Sequence, residues 1–326
     1  MRGYRVGVVA PLSPFGKRVR EELESRAFPV IELKLFEVRA DGGAALTQFQ
    51  DEIVVTESLD VDLFPHLDLI FFPAGADRRG DKAAAAVRQG VLTFVSDDLG
   101  VEAPVVIAGV NDRSLPEMTR LLVAPRSASI LIGTVLAAIE RSLPIARACA
   151  TVLLPALDLG KAGAEELHRQ VVEILNFRPP PKKILPEQLA FNVMLAREPQ
   201  EKEGGGETAV EREVQQIAGL KRSPAVTLVR TPVFHGYAAS LWLQTAETAE
   251  PEALGRALRA CRRISVPRRR GKGSPSSPSA VSVSESDRIH VALRPDGASP
   301  GGFWLWIVAD SGAVDPARTA VALAAA

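Results

Sequence analysis

Cysteine is scarce in this chain. Cys149 and Cys261 are the only two in 326 residues, too few for a secreted disulfide scaffold and without metal-ligand spacing. A reducing compartment is expected, and no metal site. An excess of charge of either sign is also lacking: 39 basic and 39 acidic residues cancel, and the pI is about 6.9. That balance implies no nucleic-acid partner and no attraction to an anionic membrane. The one basic run, Arg268-Arg269-Arg270-Gly271-Lys272, opens the stretch 273–279, rich in Ser and Pro, and reads as a solvated loop. No apolar run approaches the roughly 20 residues that span a bilayer. Met1 to Arg5 lead straight into a strand pattern without signal-peptide architecture, so the expected location is the cytoplasm.

What is present is a chain that is 46% hydrophobic and 24% charged, long enough for two domains with separate cores. Arg5 to Ala10 read as a buried parallel strand and Gly16 to Leu23 as the amphipathic helix after it. Further strands are expected at Val30 to Phe36, Asp68 to Phe72 and Val91 to Val95, with an Ala-rich helix at Asp81 to Gln89. Together they predict an open parallel sheet. The second half predicts an α+β domain. Its strands are Ala150 to Leu154, Leu189 to Leu195, Ala225 to Val233, Ser240 to Thr245 and Arg288 to Leu293; its helices are Glu165 to Leu175, Glu207 to Ala218 and Pro251 to Cys261. Gly204 to Gly206 and Pro267 to Ser286 read as mobile loops. A last helix is expected at Pro316 to Ala326.

The most informative stretch is Leu121-Leu122-Val123-Ala124-Pro125-Arg126-Ser127-Ala128-Ser129. A buried strand runs through Pro125 to a small polar residue at the start of an apolar helix, where backbone N–H groups would activate a thiolate. There is no thiol in it. With Gln188-Leu189-Ala190-Phe191-Asn192-Val193, Arg230-Thr231-Pro232-Val233-Phe234, Gly109-Val110-Asn111 and Leu305 to Asp310, this frame resembles the aspartate-semialdehyde dehydrogenase family over nearly the whole chain, and in particular its Usg-like members. The resemblance implies a Rossmann-like parallel-sheet domain, residues 1–127 plus 312–326, and an α+β dimerisation domain, residues 128–311. It also implies a homodimer paired through the sheet of the second domain, for which Leu189 to Leu195 is the expected interface strand.

On that resemblance, Ser127 takes the position of the family's catalytic cysteine and Arg126 that of the asparagine before it. Tyr237 takes the histidine position and Leu154 the glutamine position. A serine hydroxyl stays protonated without an adjacent base, so Ser127 is expected to be the N-cap of the following helix. His235 lies two residues before Tyr237, on the same face of a strand and about 6.6 Å away; it is a candidate replacement base if the chain shifts by that offset, and otherwise a partly buried, hydrogen-bonded histidine. The family's phosphate arginine falls near Val101, beside Asp97 and Asp98, which would repel phosphate. Arg126 is the candidate for holding a small anion, and Arg212 and Lys221 are candidates for the carboxylate-binding arginine.

The family's glycine-rich turn falls on Ala10-Pro11-Leu12-Ser13-Pro14-Phe15-Gly16. Only Gly16 is kept, and two prolines remove N–H donors from the loop that would cradle phosphate. Gly75, in Pro73-Ala74-Gly75-Ala76, matches a second cofactor loop but reads as well as a strand-end turn. Weak NADP binding at best is therefore expected. The expected function is that of a catalytically inactive relative kept for binding or assembly; the alternative is an NADP-dependent semialdehyde dehydrogenase with altered catalytic residues.

Overall fold

Tyr4–Val9 carries apolar side chains on both faces, as a strand covered on two sides requires, and in the computed structural model it is the central strand of the first sheet. Residues 3–38, 46–49, 52–77, 79–96, 103–116, 118–196, 206–267 and 277–326 are described. The chain divides into two units, Met1–Arg126 with Asp315–Ala326, and Ser127–Val314. The first contains, in order, β1 (Tyr4–Val9), α1 (Pro14–Ser25), β2 (Val30–Glu37), β3 (Leu46–Phe49), β4 (Glu52–Ser58), β5 (Leu69–Phe72), α2 (Asp81–Arg88), β6 (Leu92–Val95) and β7 (Leu121–Val123). The sheet order is β3-β4-β2-β1-β5-β6-β7, parallel apart from the β3–β4 pair. This is a Rossmann-like α/β architecture.

The second unit holds α3 (Ser127–Glu140), β8 (Ile145–Leu154), α4 (Gly160–Leu175), β9 (Met194–Leu195), α5 (Gly206–Ala218), β10 (Ala225–Arg230), β11 (Tyr237–Thr245), α6 (Pro251–Ala260), β12 (Ile264–Ser265), β13 (Ile289–Pro295) and β14 (Gly302–Ala309). Its sheet runs β12-β13-β14-β11-β8-β10-β9. Residues 128–139 of α3 are all buried, as an all-round apolar helix must be, and Gly133 lets Ile217 of α5 lie against it. α3, α5 and α6 cover one face of this sheet. The chain then returns to the first unit with α7 (Pro316–Ala324), whose Ala317, Ala320 and Val321 join the core of β1 and α1. No described helix is long and apolar enough to cross a membrane.

Three sequence expectations are corrected. Leu189 to Leu195 is not a strand; only Met194–Leu195 pairs, antiparallel to β10. The buried Gln170 side chain accepts from the N–H of Leu189 and of Ala190, and Phe191 turns to φ +61, so this backbone is committed elsewhere. Likewise, the described part of the Pro267 to Ser286 loop is a packed turn. Trp306 donates to the Pro278 carbonyl, Ser279 and Ser282 cross-brace it, and Val283 is 2% exposed; residues 268–276 lie outside the described residues. β10 also ends at Arg230, short of Val233, where Pro232 removes a ladder donor.

Candidate functional site

In the first unit, the turn after β1 keeps the shape of a glycine turn without the glycine. Ala10 adopts φ +46, a left-handed conformation costly for a residue with a Cβ. Its carbonyl accepts from the Ser13 N–H at 3.0 Å. A Cβ on Gly16 would stand 2.5 Å from the Ala10 carbonyl and 2.8 Å from Pro11 Cα, so Gly16 is what lets α1 pack against the strand end. The donors at this helix start are few. Pro14 has none, and the Gly16 N–H is taken by the Ser13 hydroxyl at 3.1 Å. Ser13 thus caps the terminus that would otherwise face phosphate. Gly75 has φ +72 in a turn closed by Ala76 N–H to the Pro73 carbonyl, with the Ala74 N–H held by Ser96. Asp97, Asp98 and Val101 lie outside the described residues.

In the second unit, three strand ends meet. The Leu154 carbonyl, ending β8, accepts from both the N–H and the hydroxyl of Thr231, while Ala156 and Leu157 N–H groups reach the carbonyls of Val233 and Phe234. This double pairing brings the 154–160 turn against Tyr237, the first residue of β11. The Tyr237 hydroxyl donates to Asp158 Oδ1 at 2.9 Å. Arg230 Nη1 reaches Asp158 Oδ2 at 3.4 Å, the arginine side chain being 8% exposed and the aspartate 28%. A phenol that donates to a carboxylate neutralised by a guanidinium is a satisfied network. A neutral phenol, unlike an imidazole, has no basic nitrogen lone pair, so it is a poor acceptor for a nucleophile's proton.

Leu154 is buried and takes part through its backbone only. α3 begins at Ser127, so the position before the helix is Arg126, and Ser127 is a half-buried first-turn residue rather than the N-cap. Arg126 is half-buried and has partners of its own. His235 is exposed and lies in a bend. Gly236, at φ +91 with its N–H held by Ser311, breaks the strand alternation that would have put His235 beside Tyr237; the reading of His235 as partly buried is corrected. Arg212 and Lys221 are exposed on and after α5. Among the described residues no group of three or more His, Cys, Asp or Glu is placed to hold a metal.

Asp158 and Arg230 were not among the site residues read from the sequence. A signal for Arg230 was there: Val226, Leu228 and Arg230 share the period-two face of β10, and the first two are buried, which puts a guanidinium in line with the core. Nothing comparable marks Asp158, since its partner Tyr237 is 79 positions away.

A family described as "Semialdehyde dehydrogenase, dimerisation domain" matches residues 158–311. The USG-1 protein homolog of Azotobacter vinelandii is 30% identical over 262 residues, 78% of this chain and 77% of that protein. The aspartate-semialdehyde dehydrogenase of Aquifex aeolicus is 24% identical over 337 residues, 99% of this chain and 97% of the other. Among solved structures, a probable aspartate-semialdehyde dehydrogenase from Pseudomonas aeruginosa superposes with a TM-score of 0.85 at 28% identity, covering 99% of this chain and 98% of that one.

Proposed function

Because the chain belongs to the aspartate-semialdehyde dehydrogenase family, we propose that it is a member without dehydrogenase turnover, kept for binding and assembly as a homodimer. The observation that carries this is the Tyr237–Asp158–Arg230 network at the family's histidine position. Acyl transfer through a nucleophile needs a base free to take its proton. Here the group at that position is a phenol without the basic nitrogen of an imidazole, and the group at the cysteine position, Ser127, has a hydroxyl that stays protonated at neutral pH. The steps of the family's reaction act as a unit, so losing nucleophile and base together abolishes turnover rather than trimming it. The self-capped α1 terminus supports weak NADP binding.

The alternative, a working NADP-dependent oxidoreductase with altered residues, is favoured by one observation, the left-handed Ala10, which preserves the outline of a nucleotide turn. The test is NADP reduction with aspartate semialdehyde and phosphate. No rate above the enzyme-free control is expected. Turnover that disappears in Ser127→Ala would establish the alternative instead, whereas calorimetric NADP binding at micromolar or tighter, about −8 kcal/mol, would overturn only the weak-binding part of the reading.

The assembly half of the reading rests on the second sheet. No described helix covers the face opposite α3, α5 and α6. All three tryptophans lie there: Trp242 stands across from Trp304, and Ser240 across from Trp306. Cys149 and Thr151 extend the same rows on β8, and both are exposed. An aromatic, charge-poor centre of this kind suits a second copy. The Trp242 indole also fixes its rim, since its N–H donates to Asp296 and holds that carboxyl below the usual range.

A further inference from the structure

The zero net charge of the chain conceals a local excess of arginine. From Pro251 to Lys272 the sequence has Arg256, Arg259, Arg262, Arg263, Arg268, Arg269, Arg270 and Lys272 against one acid, Glu252. In the structure Leu254, Ala257 and Leu258 turn α6 into the core, which leaves Arg256 and Arg259 exposed on its outer side, one turn apart. Arg262 is exposed in the turn that follows, and Arg288, also exposed, is tied to this edge through its guanidinium on the Ile264 carbonyl. Among the described residues, none of Arg256, Arg259 and Arg262 has a carboxylate within ion-pair distance, Glu252 on the same helix included. The acid nearest Arg288 in sequence is Asp287, which is exposed. The helix dipole accounts for Arg259 in the last turn of α6; it does not account for the others.

We propose that the outer side of α6 and the turn after it bind the phosphate backbone of duplex nucleic acid without reading its sequence. Several features select this partner over other polyanions. The cations are arginines, whose planar forks grip phosphate bidentately. Arg256 and Arg259 stand one turn apart on α6, about 4.5 Å along its axis, and Arg262 lies in the turn just past the helix end, facing a partner with a charge every 1.7 Å or so of its axis. The apolar residues of α6 are committed to the core, so nothing is left to insert into a bilayer. No aromatic residue lies between the arginines in the sequence, so single-strand stacking has no platform.

The test is fluorescence anisotropy of a labelled 20-base-pair duplex of arbitrary sequence with the full chain, titrated between 50 and 200 mM salt, for the wild type and for Arg256→Gln/Arg259→Gln/Arg262→Gln. Expected are binding at 50 mM, at least a tenfold loss in the triple variant, and a log–log salt slope shallower by about 2.7 if three phosphates are released. The variant should match the wild type in unfolding midpoint and sedimentation, since none of the three side chains packs in the core. The inference is overturned by absence of binding at 50 mM, by a triple variant that binds as the wild type does, or by equal competition from polyglutamate or from vesicles containing phosphatidylglycerol.

Discussion

At φ +46 Ala10 adopts a backbone that glycine enters freely and that costs a residue with a Cβ roughly 1 kcal/mol or more. Ala10→Gly should therefore raise the unfolding midpoint in urea, or leave it unchanged where the added freedom of the unfolded glycine offsets the relief. A clear fall would mean that the Cβ packs usefully. Gly16→Ala is the opposite case, because the new Cβ would meet backbone atoms at 2.5 and 2.8 Å. Backbone cannot rotate away as a side chain can, so a loss of about 2 kcal/mol is expected. Local chemistry made this turn legible in the sequence: a missing glycine or an added proline acts where it stands. The strand ends around Tyr237 were less legible. Its pairing with Asp158 depends on how the turn at 154–160 docks against residues 231–234, and His235 was misplaced because Gly236, at φ +91, ends the alternation one residue before the strand begins.

Among elements, α4 shows how buried polar groups shape a segment that has no regular structure of its own. Glu166, fully buried, accepts from the N–H groups of Lys183, Ile184 and Leu185. One turn on, Gln170 accepts from Leu189 and Ala190 and donates to Pro181. These two side chains turn the apolar string at 189–195, which its composition marks as a strand, into a turn ending in two paired residues. Composition could not show that the backbone donors were already spoken for. Glu166→Ala would strand three donors, each worth about 1–3 kcal/mol if left unmet. The expected result is faster amide exchange across 183–190 and early proteolysis there, with Glu166→Gln milder; unchanged exchange in Glu166→Ala would show the segment to be held by its apolar contacts alone.

The cap of α7 adds a pH dependence. Burial raises the Asp315 carboxyl above the usual carboxylate range, against the opposing pull of the Arg318 and Ala317 N–H groups and of Arg18. The native state then holds this proton more tightly than the unfolded chain, so the contribution is full below the ordinary carboxylate value and is lost as pH rises through the raised one. Asn keeps a capping oxygen but does not titrate. The difference in stability between wild type and Asp315→Asn, followed by urea unfolding over that interval, should drift against the wild type as pH rises. A flat difference would mean that the cap and Arg18 fully compensate the burial.

For the whole molecule, we propose that the homodimer pairs through the open face of the second-domain sheet rather than through its 189–195 edge. From the sequence, Leu189 to Leu195 looked like the interface strand. In the fold, Phe191 and Val193 stand exposed near the β9 edge, whereas the sheet presents a face with no described helix over it, in register across β13, β14, β11 and β8, from Arg294 through Trp304 and Trp242 to Cys149, with the 277–286 turn reaching it at Trp306. Arg294 lies over the Trp304 ring at 5.5 Å, which screens its charge from the centre. A family-like homodimer formed here would bury more than the roughly 1,000 Å² of a specific contact, and much of its stability would be inseparable from association. Ser240→Arg places a charge amid that face without removing any packed atom, so it should yield folded monomers in sedimentation at micromolar concentration. Since every tryptophan of the chain sits on this face, dissociation of the wild type on dilution should shift the indole emission to the red in step with the loss of dimer. Val193→Asp, at the edge, should leave both signals unchanged. Dissociation by Val193→Asp but not by Ser240→Arg would return the interface to the 189–195 edge, and a wild type that sediments as a monomer at micromolar concentration would remove the assembly role altogether.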